Sequence, residues 1–314
     1  MHKLFLLIFL TFSLNAGVYE IDIRPYGSSN SDLKLKILDQ KQLVFDKIKS
    51  QKFSEISDLA YLKKENKLYM LSDEGKIFVF NAKFTDKIEL LEPLDATKLR
   101  KKNAKKFKKW RRDSEGMTLD GKGRLLISFE GEAKIAWFHK NSAKFGQMIK
   151  KYKIPSSLRN PKNYRSRNKS LEALAWHGKY GILTAAEWPL KKYDKKKQTI
   201  YALSGKKWHF TAEPEAKSAI SAMEVMDDGN LLILERSYID MLSPFVVTLK
   251  KVYLNKCKKG LCKSEVLVKM NSHRGWGVDN FEGLTRVAKN RYLMVSDDND
   301  NFFQKTILIY FEVK

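Results

Sequence analysis

Short apolar runs rich in Leu, Ile, Val and Phe recur along the chain in pairs, and outside one segment none adopts the three-and-four spacing of an amphipathic helix. The pairs are residues 67–72 with 77–80, 124–128 with 134–138, 181–184 with 199–203, 231–234 with 245–249, and 292–295 with 307–311. Each pair predicts two antiparallel strands. The phrases Asp120-Gly121-Lys122-Gly123, His177-Gly178-Lys179-Tyr180, Asp227-Asp228-Gly229-Asn230 and Ala288-Lys289-Asn290-Arg291 stand just before four of these pairs. Their Gly and Asn residues supply the positive φ of tight turns. Residues 96–110 alone allow a helix, as a basic amphipathic segment, with an irregular loop as the alternative.

A recurring phrase opens each unit, acidic in all but the fourth copy, where Ala222 stands in place of the acid, and a second acid closes it about fifteen residues later. The opening phrases are Ile56-Ser57-Asp58, Asp113-Ser114-Glu115-Gly116, Ser170-Leu171-Glu172-Ala173, Ile220-Ser221-Ala222 and Asn280-Phe281-Glu282-Gly283. Aligned on the first acid they fall at positions 58, 115, 172, 222 and 282, a period of 50 to 60 residues. That period, with several strands inside it, belongs to propeller blades rather than helical solenoids. The expected fold is all-β, a β-propeller. Six blades are expected, with five or seven as alternatives, and the N-terminal strands (residues 19–45) should pair with the last strands (residues 308–313) to close the ring and remove open edges.

Two strands joined by a tight turn return the chain to the rim it left. The leading acids Asp58, Glu115, Glu172 and Glu282 and the trailing acids Glu74, Glu130, Glu187, Glu235 and Asp298 are therefore expected around one mouth. Like charges held that close need a cation or protons. The alternative is that each carboxylate caps a turn at a blade corner. Ala222 breaks the pattern, which implies an off-centre site.

The chain begins Met-His-Lys, runs apolar over residues 4–14 and continues Asn15-Ala16-Gly17, which reads as a signal peptide cut after Ala16, with an uncleaved anchor as the alternative. Residues 17–314 would then form one domain of a periplasmic or secreted protein, acting as a monomer. Cys257 and Cys262, with four residues including a glycine between them, suit a hairpin disulfide better than a zinc site, which would need two further ligands. Formal charge is +24, and residues 98–112 carry ten cations in fifteen positions. Such a surface attracts polyanions. In an envelope location the accessible ones are an anionic membrane surface or an anionic small-molecule substrate, rather than nucleic acid.

The phrases Asp113-Ser114-Glu115-Gly116, Glu172-Ala173-Leu174-Ala175, Leu234-Glu235-Arg236 and Asn280-Phe281-Glu282-Gly283-Leu284, ending in Val295-Ser296-Asp297-Asp298-Asn299, resemble the secreted bacterial phytase-like family, labelled "esterase-like activity of phytase". The resemblance implies an exported propeller active on phosphate or carboxylate esters. It also implies calcium held by acids at the mouth, at Glu115, Glu130, Glu172, Glu187, Glu282, Asp297 and Asp298. Hard oxygen donors suit Ca²⁺, with Mg²⁺ second. On this reading Asp58, Glu130, Glu172, Glu187, Glu235, Asp297 and Asp298 are the metal ligands, and Glu115, Glu282 and Arg236 act on substrate. Arg236 either grips phosphate oxygens or pairs with a neighbouring acid. The expected function is a Ca²⁺-dependent phosphoesterase, and the alternative a propeller that binds a ligand without turnover. No Gly-x-Ser-x-Gly, His-Glu-x-x-His or phosphate-binding Gly-rich loop is present.

Overall fold

In the computed structural model, residues 16–28, 33–166, 168–240 and 242–314 are described, and the paired apolar runs have become sheet. The segment expected to be a signal peptide lies outside these residues except for Ala16. Blade 1 consists of Ile56–Leu62, Lys67–Ser72, Lys76–Phe84 and Ile88–Lys98, and blade 2 of Ser114–Leu119, Leu125–Phe129, Lys134–Phe138 and Met148–Tyr152. Blade 3 holds Leu171–His177, Gly181–Ala186, Lys197–Ala202 and Lys207–Thr211; blade 4 holds Ala219–Val225, Leu231–Ser237, Val246–Lys258 and Leu261–Asn271. Blade 5 takes Asn280–Ala288, Arg291–Asp297 and Thr306–Val313 from the C-terminus and Leu35–Val44 from the N-terminus, with Gly17–Glu20 added at its edge. Within each blade neighbouring strands are antiparallel.

The first strand of every blade lies innermost, and these five strands pack against one another in cyclic order. The ring therefore has five blades among the described residues, where six were expected. The reason is economy of strands: residues 280–313 supply only three strands, and Leu35–Val44 completes them, from Leu35↔Val313 to Leu43↔Thr306. The terminal strands do pair as expected, but they complete a blade instead of adding one. Residues 45–55 contribute only the two-residue strands Lys47–Ile48 and Gln51–Lys52.

Blade faces are buried against each other, so the strands read as apolar clusters more than as alternating patterns. Leu59, Met70, Phe78 and Phe80 of blade 1 pack on Leu293, Val295, Leu308 and Tyr310 of blade 5. On the other face of blade 1, Leu71, Ile77 and Val79 meet Ile127, Phe129 and Phe138 of blade 2. Each such buried Leu, Ile or Phe side chain contributes roughly 1.5–3 kcal/mol. Residues 96–110 are not helical: Ile88–Lys98 is a strand, and the rest is a loop ending in the single 3-10 turn Lys109–Arg111. Its backbone bonds outward, as Leu99 N–H to Gly75 O and Arg100 N–H to Gly146 O, which competes with intrahelical pairing.

Candidate functional site: carboxylates at the propeller mouth

Every inner strand slips register near its start, and the slip determines what faces the axis. Ser57, Glu172, Ser221 and Glu282 are skipped in the pairing with the second strand, and Glu115 with Gly116 is skipped in blade 2. A bulge of this kind re-aims a side chain out of the ladder. The equivalent positions are thus Ser57, Glu115, Glu172, Ser221 and Glu282. The following position holds Asp58, Gly116, Ala173, Ala222 and Gly283, small in four blades because the strands converge there. A Cβ on Gly116 would lie 2.6 Å from Glu172 O and from Ser128 Oγ, and one on Gly283 2.9 Å from Asp58 Cα.

The second strands add another tier. The partners of the residue before each slip are Ser72, Phe129, Ala186, Glu235 and Ser296, so the next residues are equivalent: Asp73, Glu130, Glu187, Arg236 and Asp297. Blades 1, 2, 3 and 5 supply a carboxylate here and blade 4 supplies a guanidinium. Arg236 reaches across the mouth to Glu282 at 3.1 Å, Glu187 at 3.6 Å and Glu172 at 3.9 Å. Lys169 pairs with Glu187 at 2.5 Å. Asn280 donates to Glu282 at 2.8 Å, and Ser170 N–H to Glu130 at 3.2 Å.

Negative charge exceeds these partners. Burial and then mutual repulsion push Asp73 and Glu130 up to about 8 and Asp297 up to about 9. Burial also raises Asp113 and Glu282, and it holds Glu115 and Glu172 well above the carboxylate range with the help of their acidic neighbours. Burial works against the charge of Arg236, but Glu282, Glu187, Glu172 and Asp297 outweigh it and raise its pKa. Oxygen atoms of Asp113, Glu115 and Glu130 lie within 4.8 Å of one another, as do those of Glu130, Glu172 and Glu187. The Glu115 carboxylate has no hydrogen bond or ion pair among the described residues, and Asp73 Oδ1, Asn280 Oδ1 and Arg236 Nε are buried without partners. This all-oxygen, over-charged donor set fits a hard divalent cation.

The structure brings Glu115, Glu130, Glu172, Glu187, Glu282, Asp297 and Arg236 together, whereas four other expected rim acids are engaged elsewhere. Asp58 is buried and accepts from Met117 N–H at 2.6 Å, Leu59 N–H at 2.8 Å and Leu284 N–H at 3.0 Å, and so ties three inner strands together. Glu235 lies one residue before the tier position and pairs with the buried Lys250 at 2.7 Å. Asp298 accepts from Glu55 N–H, Asp300 N–H and the Thr306 hydroxyl, a corner-capping role. Glu74 pairs with Lys76 and Arg112. Asp73, Asp113 and Lys169 are absent from the sequence candidates; aligning on strand ends instead of on acidic letters finds Asp73.

Fold and mouth together define a five-bladed propeller with a carboxylate-lined axial site. The chain belongs to the phytase-like family, described as "Esterase-like activity of phytase", whose family model matches residues 51–300. No curated protein matches it in sequence. Among solved structures it is similar to a PQQ-bound aldose sugar dehydrogenase from Streptomyces coelicolor, at 10% identity and a TM-score of 0.46, covering 89% of this chain and 98% of that one. It is also similar to the Cps50 (Swd1) β-propeller domain from Myceliophteria thermophila, at 10% identity and a TM-score of 0.43, covering 88% and 91%. A third is virginiamycin B lyase from Staphylococcus aureus, at 8% identity and a TM-score of 0.40, covering 96% and 100%.

Proposed function

We propose that this protein is an exported, divalent-cation-dependent phosphoester hydrolase working at the carboxylate mouth. The observation that carries the reading is the pair of overlapping carboxylate triads, which share Glu130. Asp113, Glu115 and Glu130 would hold one cation, and Glu130, Glu172 and Glu187 a second or alternative position. Calcium suits them better than magnesium, which demands strict octahedral geometry and retains water. A bound cation would offset the crowded charge and polarise a phosphoryl oxygen. Arg236 and Lys169, paired with Glu282 and Glu187, place positive charge beside the carboxylates where an anionic substrate would bind. Membership of the phytase-like family supports ester hydrolysis as the reaction class. Export is supported by the apolar leader and by the disulfide between Cys257 and Cys262, a bond that persists in oxidising compartments.

One observation favours binding without turnover: Arg236 already bridges three of the ring carboxylates and neutralises part of the mouth. The two readings separate on a panel of phosphomonoesters, phosphodiesters and carboxylate esters assayed with calcium and with chelator. Hydrolysis of a phosphoester is expected with calcium only. Glu115→Gln should lower it by about 10²–10³-fold while leaving the fold intact, since the carboxylate has no protein partner to lose. A saturable phosphorylated ligand with no turnover in any class would favour the binder and overturn the enzyme.

A further inference from the structure

Nine large apolar side chains are exposed among the described residues, and six leave the propeller at one end. Trp110 lies in the connection from the outer strand of blade 1 to the inner strand of blade 2. Tyr238, Ile239 and Leu242 lie between the second and third strands of blade 4, and Phe302 and Phe303 at the same place in blade 5. Connections of both kinds emerge at the end where inner strands begin and second strands finish, which is the end that carries the acidic mouth. The opposite end has Leu261, at the tip of the blade 4 hairpin.

These side chains are not edges of the core. Leu242 is 90% exposed, Phe302 96% and Phe303 86%. The two phenylalanines contact each other edge to face at 5.6 Å, and the loop that bears them is tied to the 45–55 segment by the Lys52–Asp300 ion pair. Cations stand on the same end. Lys102, Lys105, Lys106, Lys108 and Lys109 are all exposed in the 99–113 connection beside Trp110, whose ring carries the Arg111 guanidinium at 4.6 Å. Lys191, Lys192, Lys195 and Lys196 are exposed in the loop between the second and third strands of blade 3.

Apolar tips flanked by lysines, with a tryptophan and a tyrosine among them, match the two layers of an anionic bilayer surface: headgroups for the cations and aromatic belts, acyl boundary for Leu and Phe. An acidic protein partner would use the lysines but leave Leu242, Phe302 and Phe303 in water. We infer that the mouth end of the propeller docks on an anionic lipid surface, with Leu242, Phe302 and Phe303 entering the interface and the 99–113 lysines holding the headgroups. The acidic mouth then opens toward the headgroup layer. Docking does not depend on whether the carboxylates bind a cation or turn over an ester.

The test is co-sedimentation of the purified protein, in chelator, with vesicles of phosphatidylglycerol and phosphatidylcholine and with vesicles of phosphatidylcholine alone. Binding is expected only with phosphatidylglycerol, and it should weaken between about 0.1 M and about 1 M salt as the Debye length falls from ~10 Å to ~3 Å. The variant Leu242→Ser/Phe302→Ser/Phe303→Ser should bind about tenfold or more weakly with an unchanged melting curve, because these side chains contribute little to the core. Replacing Lys101, Lys102, Lys105, Lys106, Lys108 and Lys109 by Gln should weaken binding and reduce its salt dependence, and a variant that binds like the parent at low salt overturns the role of these lysines. Absence of vesicle binding by the parent, or full binding by the serine variant, overturns the proposal. Retention on a soluble polyanion without any vesicle binding overturns it as well and assigns the lysines to a soluble partner.

Discussion

Arg236→Gln is expected to destabilise the protein by about 3–5 kcal/mol at pH 8, the range for leaving buried charges without their partner. Its guanidinium is the group that bridges Glu172, Glu187 and Glu282, and it stands at the position where the other four blades carry carboxylates. The penalty should shrink toward pH 5. Without the guanidinium the facing carboxyls need protons to remain buried, and acid supplies them. Urea unfolding of parent and variant at the two pH values measures both numbers. An equal loss at both would mean that Arg236 acts through packing alone.

In chelator the parent protein should lose stability steadily as pH rises from about 5 to about 9. Asp73 and Glu130 titrate at about 8 and Asp297 at about 9 in the folded protein, against 3.8 for an ordinary Asp and 4.5 for an ordinary Glu. A carboxyl whose folded pKa is raised keeps its proton where the unfolded chain has lost it. Its stabilising effect is therefore complete in acid and disappears as pH climbs through the folded pKa. Each such group costs up to ~1.4 kcal/mol per pH unit across that window. Millimolar calcium should flatten the decline, because a cation that binds only the folded state replaces the protons and stabilises by about 2.7 kcal/mol at one hundred times its dissociation constant. Thermal melts across the pH range, with and without calcium, read the effect. A flat profile in chelator would show that these carboxylates are solvated and not crowded.

Strand pairs were legible in the sequence because apolar runs bounded by Gly and Asn turns depend on local chemistry. Blade number was not, since nothing local tells Leu35–Val44 whether to found a sheet or to complete one; the answer lies in Thr306–Val313, some 270 residues away, which had no outer partner of its own. At the site, the acids that converge are those at the slipped position, those at or just past the end of a second strand, and Asp113 just before the inner strand of blade 2. Reading acidic letters in register misplaced Asp58 by one residue, so that it was grouped with Glu115 although its structural equivalent is Gly116. The same one-residue ambiguity put Glu235 at the mouth, when Glu235 pairs behind it with Lys250 and Arg236 faces the acids. A bulge inverts which face a side chain takes, and the sequence carries no local mark of it beyond the small residue that follows.

Calorimetric titration of the purified protein with calcium at pH 7, in two buffers of different ionisation heat, is the most direct measurement on the carboxylate mouth. Binding with release of protons is expected, since raised carboxyls must give theirs up to hold the ion. Glu130→Gln, which removes the residue common to both triads, should weaken binding by about tenfold or more. No binding heat for the parent in either buffer, or the same affinity in Glu130→Gln, would contradict a cation site at the centre of this propeller.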